Sequence, residues 1–182
     1  MVLSPVTPSD VNDVRAFLVE ADLTLAGLDA EGVRLWIDRG DDGAIVGSTG
    51  FELSRDSKEA LIRSVAVSGR RRAGGPGTRL ARFALAEAAS AGATRAWLFS
   101  RRSGPFWQKL GFVAADRYEL AAVLPEAEQV RLFVKSGQLE REVAWARDLA
   151  TSRRCRNSRS AIEVIRVCDR VCRTMAPRLG AS

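Results

Sequence analysis

After Thr7-Pro8-Ser9-Asp10, apolar positions recur at Val11, Val14, Phe17 and Leu18. Capping residues followed by that spacing predict an amphipathic helix over residues 9–20. Residues 22–30 read as a short second helix or a loop. The period then drops towards two. Residues 33–38 alternate as a strand does, Arg39-Gly40-Asp41-Asp42-Gly43 is a turn cluster, and 44–53 and 60–67 read as further strands. From Ser68 to Gly77 the chain is too rich in glycine and arginine for regular structure. Helical spacing returns over 78–91, with Leu80, Phe83, Ala84, Leu85 and Ala88 apolar and Gly92 as the stop. A strand over 96–99, a short helix over 106–110 ended by Gly111, a strand opening at Phe112, a helix over 125–134 and a last strand over 142–149 complete the pattern. Helices and strands mix without strict βαβ alternation. The expected fold class is α/β of the α+β kind, one sheet flanked by helices.

With 182 residues and 46% apolar content, the chain is long enough for one domain with a core, and disorder is excluded as its general state. The formal charge of +6 invites a nucleic-acid partner until it is located. Residues 1–150 hold 20 basic and 20 acidic side chains; residues 151–182 hold eight arginines against Glu163 and Asp169. A neutral domain, 1–150, and a basic extension, 151–182, are therefore expected, and Cys155, Cys168 and Cys172 all fall in the extension. The chain has no histidine. That excludes Ser-His-Asp and Cys-His catalysis and any His-ligated metal. No metal site is expected, and acid–base chemistry falls to carboxylates, backbone groups, Tyr118 or solvent. Cysteines odd in number without C-x-x-C spacing, no basic and apolar leader at Met1–Pro5 and no apolar run of about 18 residues point to a reduced, cytoplasmic protein.

The segment 60–91 carries the chemistry. A strand ending in Val65-Ala66-Val67 feeds a glycine-rich turn and then a helix N-terminus, where backbone N–H groups and the helix dipole favour an anion. The spacing matches neither G-x-x-x-x-G-K-[ST] nor G-x-G-x-x-G. Arg72-Ala73-Gly74-Gly75-Pro76-Gly77 is an R-x-x-G-x-G, and Phe106-Trp107-Gln108-Lys109-Leu110-Gly111-Phe112 follows about thirty residues later. This pair resembles the acetyl-CoA loop and the F-Y/F-x-K/R-x-G-F signature of the GNAT N-acetyltransferases. The resemblance covers roughly residues 5–149. It implies a GNAT fold, a central mixed, mostly antiparallel sheet flanked by helices, here with a C-terminal helical extension, and acetyl-CoA as co-substrate. By the same resemblance, backbone groups of Val65, Ala66 and Val67 would pair with the pantetheine amides. Arg72, Ala73, Gly74, Gly75, Gly77 and Thr78 would cradle the pyrophosphate, and Phe106 and Lys109 would lie beside the thiol end and the phosphate-bearing portion. Pro76 stands where relatives keep an aliphatic residue with its N–H. Trp107 replaces the tyrosine that many relatives use as general acid, which leaves solvent, or no dedicated acid, for the thiolate.

For the base, the sequence offers Glu52, a lone carboxylate between Phe51 and Leu53. A carboxylate in an apolar cleft titrates nearer neutrality, which suits deprotonating an ammonium through water; strict alternation would instead turn Glu52 outward. Arg63, in Leu61-Ile62-Arg63-Ser64-Val65, could hold a substrate carboxylate or lie on a strand surface. Phe51-Glu52, Leu61-Ile62-Arg63-Ser64-Val65 and the 106–112 motif together resemble a GNAT subgroup of arsenic-resistance-operon acetyltransferases and short glutamate N-acetyltransferases. The resemblance implies direct transfer to the primary amine of a small, amino-acid-like substrate, with Arg63, Ser64 and Ser100 facing it. The rival readings are a protein or peptide acetyltransferase and a non-catalytic acetyl-CoA-binding module.

In the extension, Ser160-Ala161-Ile162-Glu163 resembles a capping box, followed by Val164, Cys168, Val171 and Met175 at helical spacing. A helix packed on its own domain or in a homodimer is expected, ahead of nucleic acid or an acidic membrane as the partner of its arginines.

Overall fold

The computed structural model describes residues 2–69 and 75–149. The described residues lie within the first of two units into which the chain divides, Met1–Thr151. The basic extension and its expected helix, with residues 70–74, lie outside them.

A seven-stranded sheet organises the described residues, in the order β1-β2-β3-β4-β5-β7-β6. Its strands are β1 (Leu3–Pro5), β2 (Val33–Arg39), β3 (Ile45–Leu53), β4 (Glu59–Val67), β5 (Arg95–Phe99), β6 (Val113–Ala115) and β7 (Ala144–Asp148). Neighbours are antiparallel except β4 and β5, which run parallel. The helices are α1 (Val11–Glu20), α2 (Pro76–Ser90), α3 (Gly104–Lys109), α4 (Arg117–Val123) and α5 (Glu128–Lys135). The mixed, mostly antiparallel sheet flanked by helices is the architecture expected. Both faces are covered. Phe51, Ala60 and Ile62 pack with Ala81, Ala84 and Leu85 of α2 and with Trp107 of α3. On the opposite face Leu35, Ile37 and Ala66 pack with Val14 and Leu18 of α1, and Leu61 and Trp97 with Leu120 and Val130 of α4 and α5.

The helix expected at 9–20 forms as a 3-10 turn, Pro8–Asp10, leading into α1. Asp10 fixes the start: its carboxylate accepts from the Thr7 hydroxyl at 2.5 Å and the Thr7 N–H at 2.9 Å. Those hydrogen bonds, with Arg39 beside it, hold the Asp10 pKa down to about 2. Residues 22–30 form turns rather than a helix, with Asp22 and Gly27 at φ 54° and 57°. Among the strands and α-helices, two were not expected. β1 is too short to show a period, and α4 begins at Asp116, whose side chain accepts from the N–H of Tyr118 and Glu119. The strand expected to open at Phe112 starts at Val113, and Phe112 is buried in the core beside Trp107. The 125–134 helix starts later, at Glu128. Among the described residues no helix is long and apolar enough to cross a membrane.

Candidate active site

Two irregularities in β4 make the site. The first is its separation from β5. Their ladder pairs Glu59, Ala60 and Leu61 with Arg95, Ala96 and Trp97 and ends there, although β4 runs on to Val67 and β5 to Phe99. Among the described residues the edge of β4 beyond Leu61 therefore has no strand partner on the β5 side. An extended, amide-bearing chain can pair with such an edge.

The second is a bulge. Ser48 pairs with Ala66 but Gly50 pairs with Arg63, so two steps on β3 answer three on β4. Ser64 takes φ 56°, a left-handed value that a non-glycine residue adopts at a cost. Ser48 Oγ donates to the Ser64 carbonyl at 2.7 Å and holds the bulge. The extra residue shifts the alternation: Arg63 shares the face of Leu61, and Ala66 lies on that same face against α1.

At the end of β4 the predicted cofactor residues converge. Gly75 is the N-cap of α2 at φ 74°, and Pro76 occupies the first turn, where its missing N–H costs no intrahelical bond. Gly77 and Thr78 belong to that first turn, whose N–H groups find no acceptor within the helix. A Cβ on Gly77 would lie 3.8 Å from both Val67 and Phe106. Val67, Gly77 and Phe106 thus meet where β4 ends and the first turn of α2, with Gly75 and Thr78, begins; Val65 and Ala66 precede them on β4. These groups fit a co-substrate with amides in its middle and phosphates at its end. Arg72, Ala73 and Gly74 lie outside the described residues. Lys109 is exposed in the last turn of α3, and among the described residues no hydrogen bond or ion pair involves it. Trp107 is a core residue, packed edge-on against Phe106 and Phe112.

Glu52 and Arg63 are both buried, 3% and 3% exposed, so neither is an outward strand position. They also find each other. Arg63 Nη1 donates to Glu52 Oε1 at 2.5 Å, Arg63 Nη2 to the Ala26 carbonyl at 2.5 Å, and the Glu128 N–H to Glu52 Oε2 at 2.6 Å. The cleft around Glu52 is thus polar and charge-compensated rather than apolar. The loop between α1 and β2 and the start of α5 meet above the pair: a Cβ on Gly27 would fall 2.7 Å from Glu128 Cβ. Asp22, in that loop, pairs with Arg102 beyond β5 at 2.5 Å. The Ser100 hydroxyl accepts from the Ser103 N–H at 3.1 Å and shapes the turn into α3. Tyr118 is exposed; its hydroxyl donates to Glu140 at 2.6 Å, which raises its pKa. Sequence reasoning missed Ser48, Ala26 and the α5 N-terminus. No local pattern announces them, because the fold alone brings them to Ser64, Arg63 and Glu52.

A family model for the acetyltransferase (GNAT) family matches residues 7–112, more than half of the chain. No curated protein sequence matches. Among solved structures, N-acetylglutamate synthase from Neisseria gonorrhoeae, complexed with coenzyme A and N-acetyl-glutamate, is similar over 82% of this chain and 36% of its own, at 19% identity and TM-score 0.62. This chain therefore spans about a third of that enzyme. Rv2747 from Mycobacterium tuberculosis, in complex with CoA and NLQ, is similar over 82% of this chain and all of its own, at 15% identity and TM-score 0.60. An aminoglycoside 6'-N-acetyltransferase complexed with coenzyme A matches 82% of this chain and 98% of its own, at 13% identity and TM-score 0.58. At these identities the likeness is one of fold.

Proposed function

The chain belongs to the GNAT acetyltransferase family, and on that premise we propose that it transfers an acetyl group from acetyl-CoA directly to the primary amine of a small, amino-acid-like substrate. The catalytic unit is residues 1–150, with the basic extension an appendage to it. The coenzyme A in the Neisseria, Mycobacterium and aminoglycoside-enzyme structures supports the donor, and the free edge of β4 with the α2 N-terminus gives it a track.

The observation that carries the acceptor is the buried Glu52–Arg63 pair where β4 leaves β5. Its charges cancel. A bare amine or carboxylate bound there would leave an uncompensated charge in a desolvated site, at a cost of several kcal/mol. A zwitterion would not: its ammonium can take Glu52 and its carboxylate Arg63, and the balance is kept. N-acetyl-glutamate in the Neisseria structure agrees with an acceptor of this class. Glu52 uses two of about four acceptor positions on its carboxylate, so it can take the ammonium proton, directly or through water. The freed amine then attacks the thioester carbon, a backbone N–H of the splayed β4 polarising the carbonyl oxygen. The C–N bond forms, the C–S bond breaks, and the second proton that nitrogen loses as the amide forms passes through water to the thiolate. Arg63 and Ser64 orient the acceptor, and Ser100 bounds the cleft on the β5 side.

Release of free thiol from acetyl-CoA across a panel of L-amino acids tests the reading. Turnover with at least one, lowered about 100-fold or more in kcat/KM by Glu52→Gln, is expected. Release with none of them would overturn it.

A further inference from the structure

Among the described residues three buried side-chain atoms have no hydrogen-bond partner: Arg63 Nε, Ser64 Oγ and Gln129 Oε1. The first two lie at the bulge of β4. The third belongs to a residue the proposed mechanism does not use. Gln129 is 8% exposed and sits on α5 between two fixed points. One residue earlier, the Glu128 N–H binds Glu52. One turn later, on the same side of the helix, the Phe133 ring packs edge-on against Phe99 at the end of β5, with centroids 5.2 Å apart. Its neighbour Val130 packs with Leu61 and Trp97, the last residues paired before the strands part. Gln129 therefore faces the opening between β4 and β5, from the side that carries the Glu52–Arg63 pair.

We propose that Gln129 is a substrate-positioning residue whose carboxamide oxygen accepts a hydrogen bond from the attacking amine. This rests on the acetyltransferase reading above. The chemistry of the unpartnered atoms fits an amino acid. Arg63 Nε is a donor and suits a carboxylate oxygen; Gln129 Oε1 is an acceptor and suits an N–H. The absence of charge on Gln129 matters as much. A second carboxylate there would stabilise the ammonium and keep its lone pair protonated, whereas a neutral carbonyl holds the amine after Glu52 has taken the proton. Packing alone does not account for the residue, since methionine would fill the same space without burying an unmet acceptor.

Three enzymes decide it: wild type, Gln129→Met and Gln129→Glu, assayed with the best amino acid of the panel. For Gln129→Met, kcat/KM for the amine is expected to fall about 10-fold or more, with KM for acetyl-CoA unchanged and Tm unchanged or raised. For Gln129→Glu, which retains an acceptor of the same reach, the rising limb of the kcat/KM–pH profile is expected to move to higher pH. Wild-type kcat/KM for the amine in Gln129→Met overturns the proposal. So does a parallel loss of acetyl-CoA and amine kinetics with a lowered Tm, the signature of a packing role. If wild type turns over no amino acid, the acetyltransferase reading of the acceptor falls, and this inference with it.

Discussion

Glu52 takes its hydrogen bonds from a guanidinium on the next strand and a backbone N–H at the start of a helix, and Arg63 spends a further N–H on Ala26. With the charges so matched, removing one partner harms more than removing both. Arg63→Met leaves a buried carboxylate without its counter-charge and is expected to cost about 3–5 kcal/mol. The double variant Glu52→Leu, Arg63→Met should cost less than Arg63→Met alone, as urea unfolding midpoints of the four proteins of the cycle would report. Additive losses would mean that the two side chains do not couple. Both residues were legible as site candidates because charge interrupts an apolar strand at each of them. Their contact was not. Strict alternation describes β4 only as far as Arg63, and the extra residue at Ser64 resets which side chains share a face. No composition or period reports such a bulge.

At the scale of elements, the sequence showed what lies in long periodic runs: α1, α2 and the strands β2 to β5. It missed elements whose evidence is short or tertiary. β1 is three residues long and ends at Pro5, which leaves no alternation to read. α4 did carry a signal, Asp116 followed by Glu119, an N-cap pattern overlooked because only Leu120 is buried on its seven residues. Its stability should depend on that cap. Asp116→Ala is expected to cost about 1 kcal/mol, read as a lower urea midpoint with an unchanged slope. An unchanged midpoint would show that packing of Leu120 alone holds the helix. Residues 22–30 left helix and loop both open: their apolar side chains allow a helix, but the positive φ at Asp22 and Gly27 makes them turns, which bring the Ala26 carbonyl to Arg63.

Over the whole molecule, the neutrality of residues 1–150 hides an uneven distribution. The stretch 70–109, which includes α2, β5 and α3, holds nine Lys or Arg (70, 71, 72, 79, 82, 95, 101, 102 and 109) and one acid, Glu87. By subtraction from 20 of each, the rest of residues 1–150 holds 11 basic and 19 acidic side chains. A net of +8 on one stretch faces a net of −8 on the remainder. A polyanionic donor is drawn to the first, and the zwitterionic acceptor proposed above would gain little from either. Raising salt from about 0.05 to 0.5 M, which shortens the screening length below about 5 Å, should raise KM for acetyl-CoA several-fold and leave KM for the amino acid nearly constant. Equal sensitivity of the two would show that the acceptor also binds as a net charge.

The contacts of Glu52 and Arg63 also bear on how the molecule assembles. They join residues 11, 37 and 76 positions apart along the chain, so the site is the meeting point of three chain closures of very different length. The hairpin of β3 and β4 closes the shortest one and can form early. The longest waits until α5 arrives, and the entropy of that closure is lost before its hydrogen bonds return anything. The candidate site is thus expected to be completed late in folding, after the β3–β4 hairpin that bears the pair has formed. Damage to it should hasten unfolding more than it slows folding.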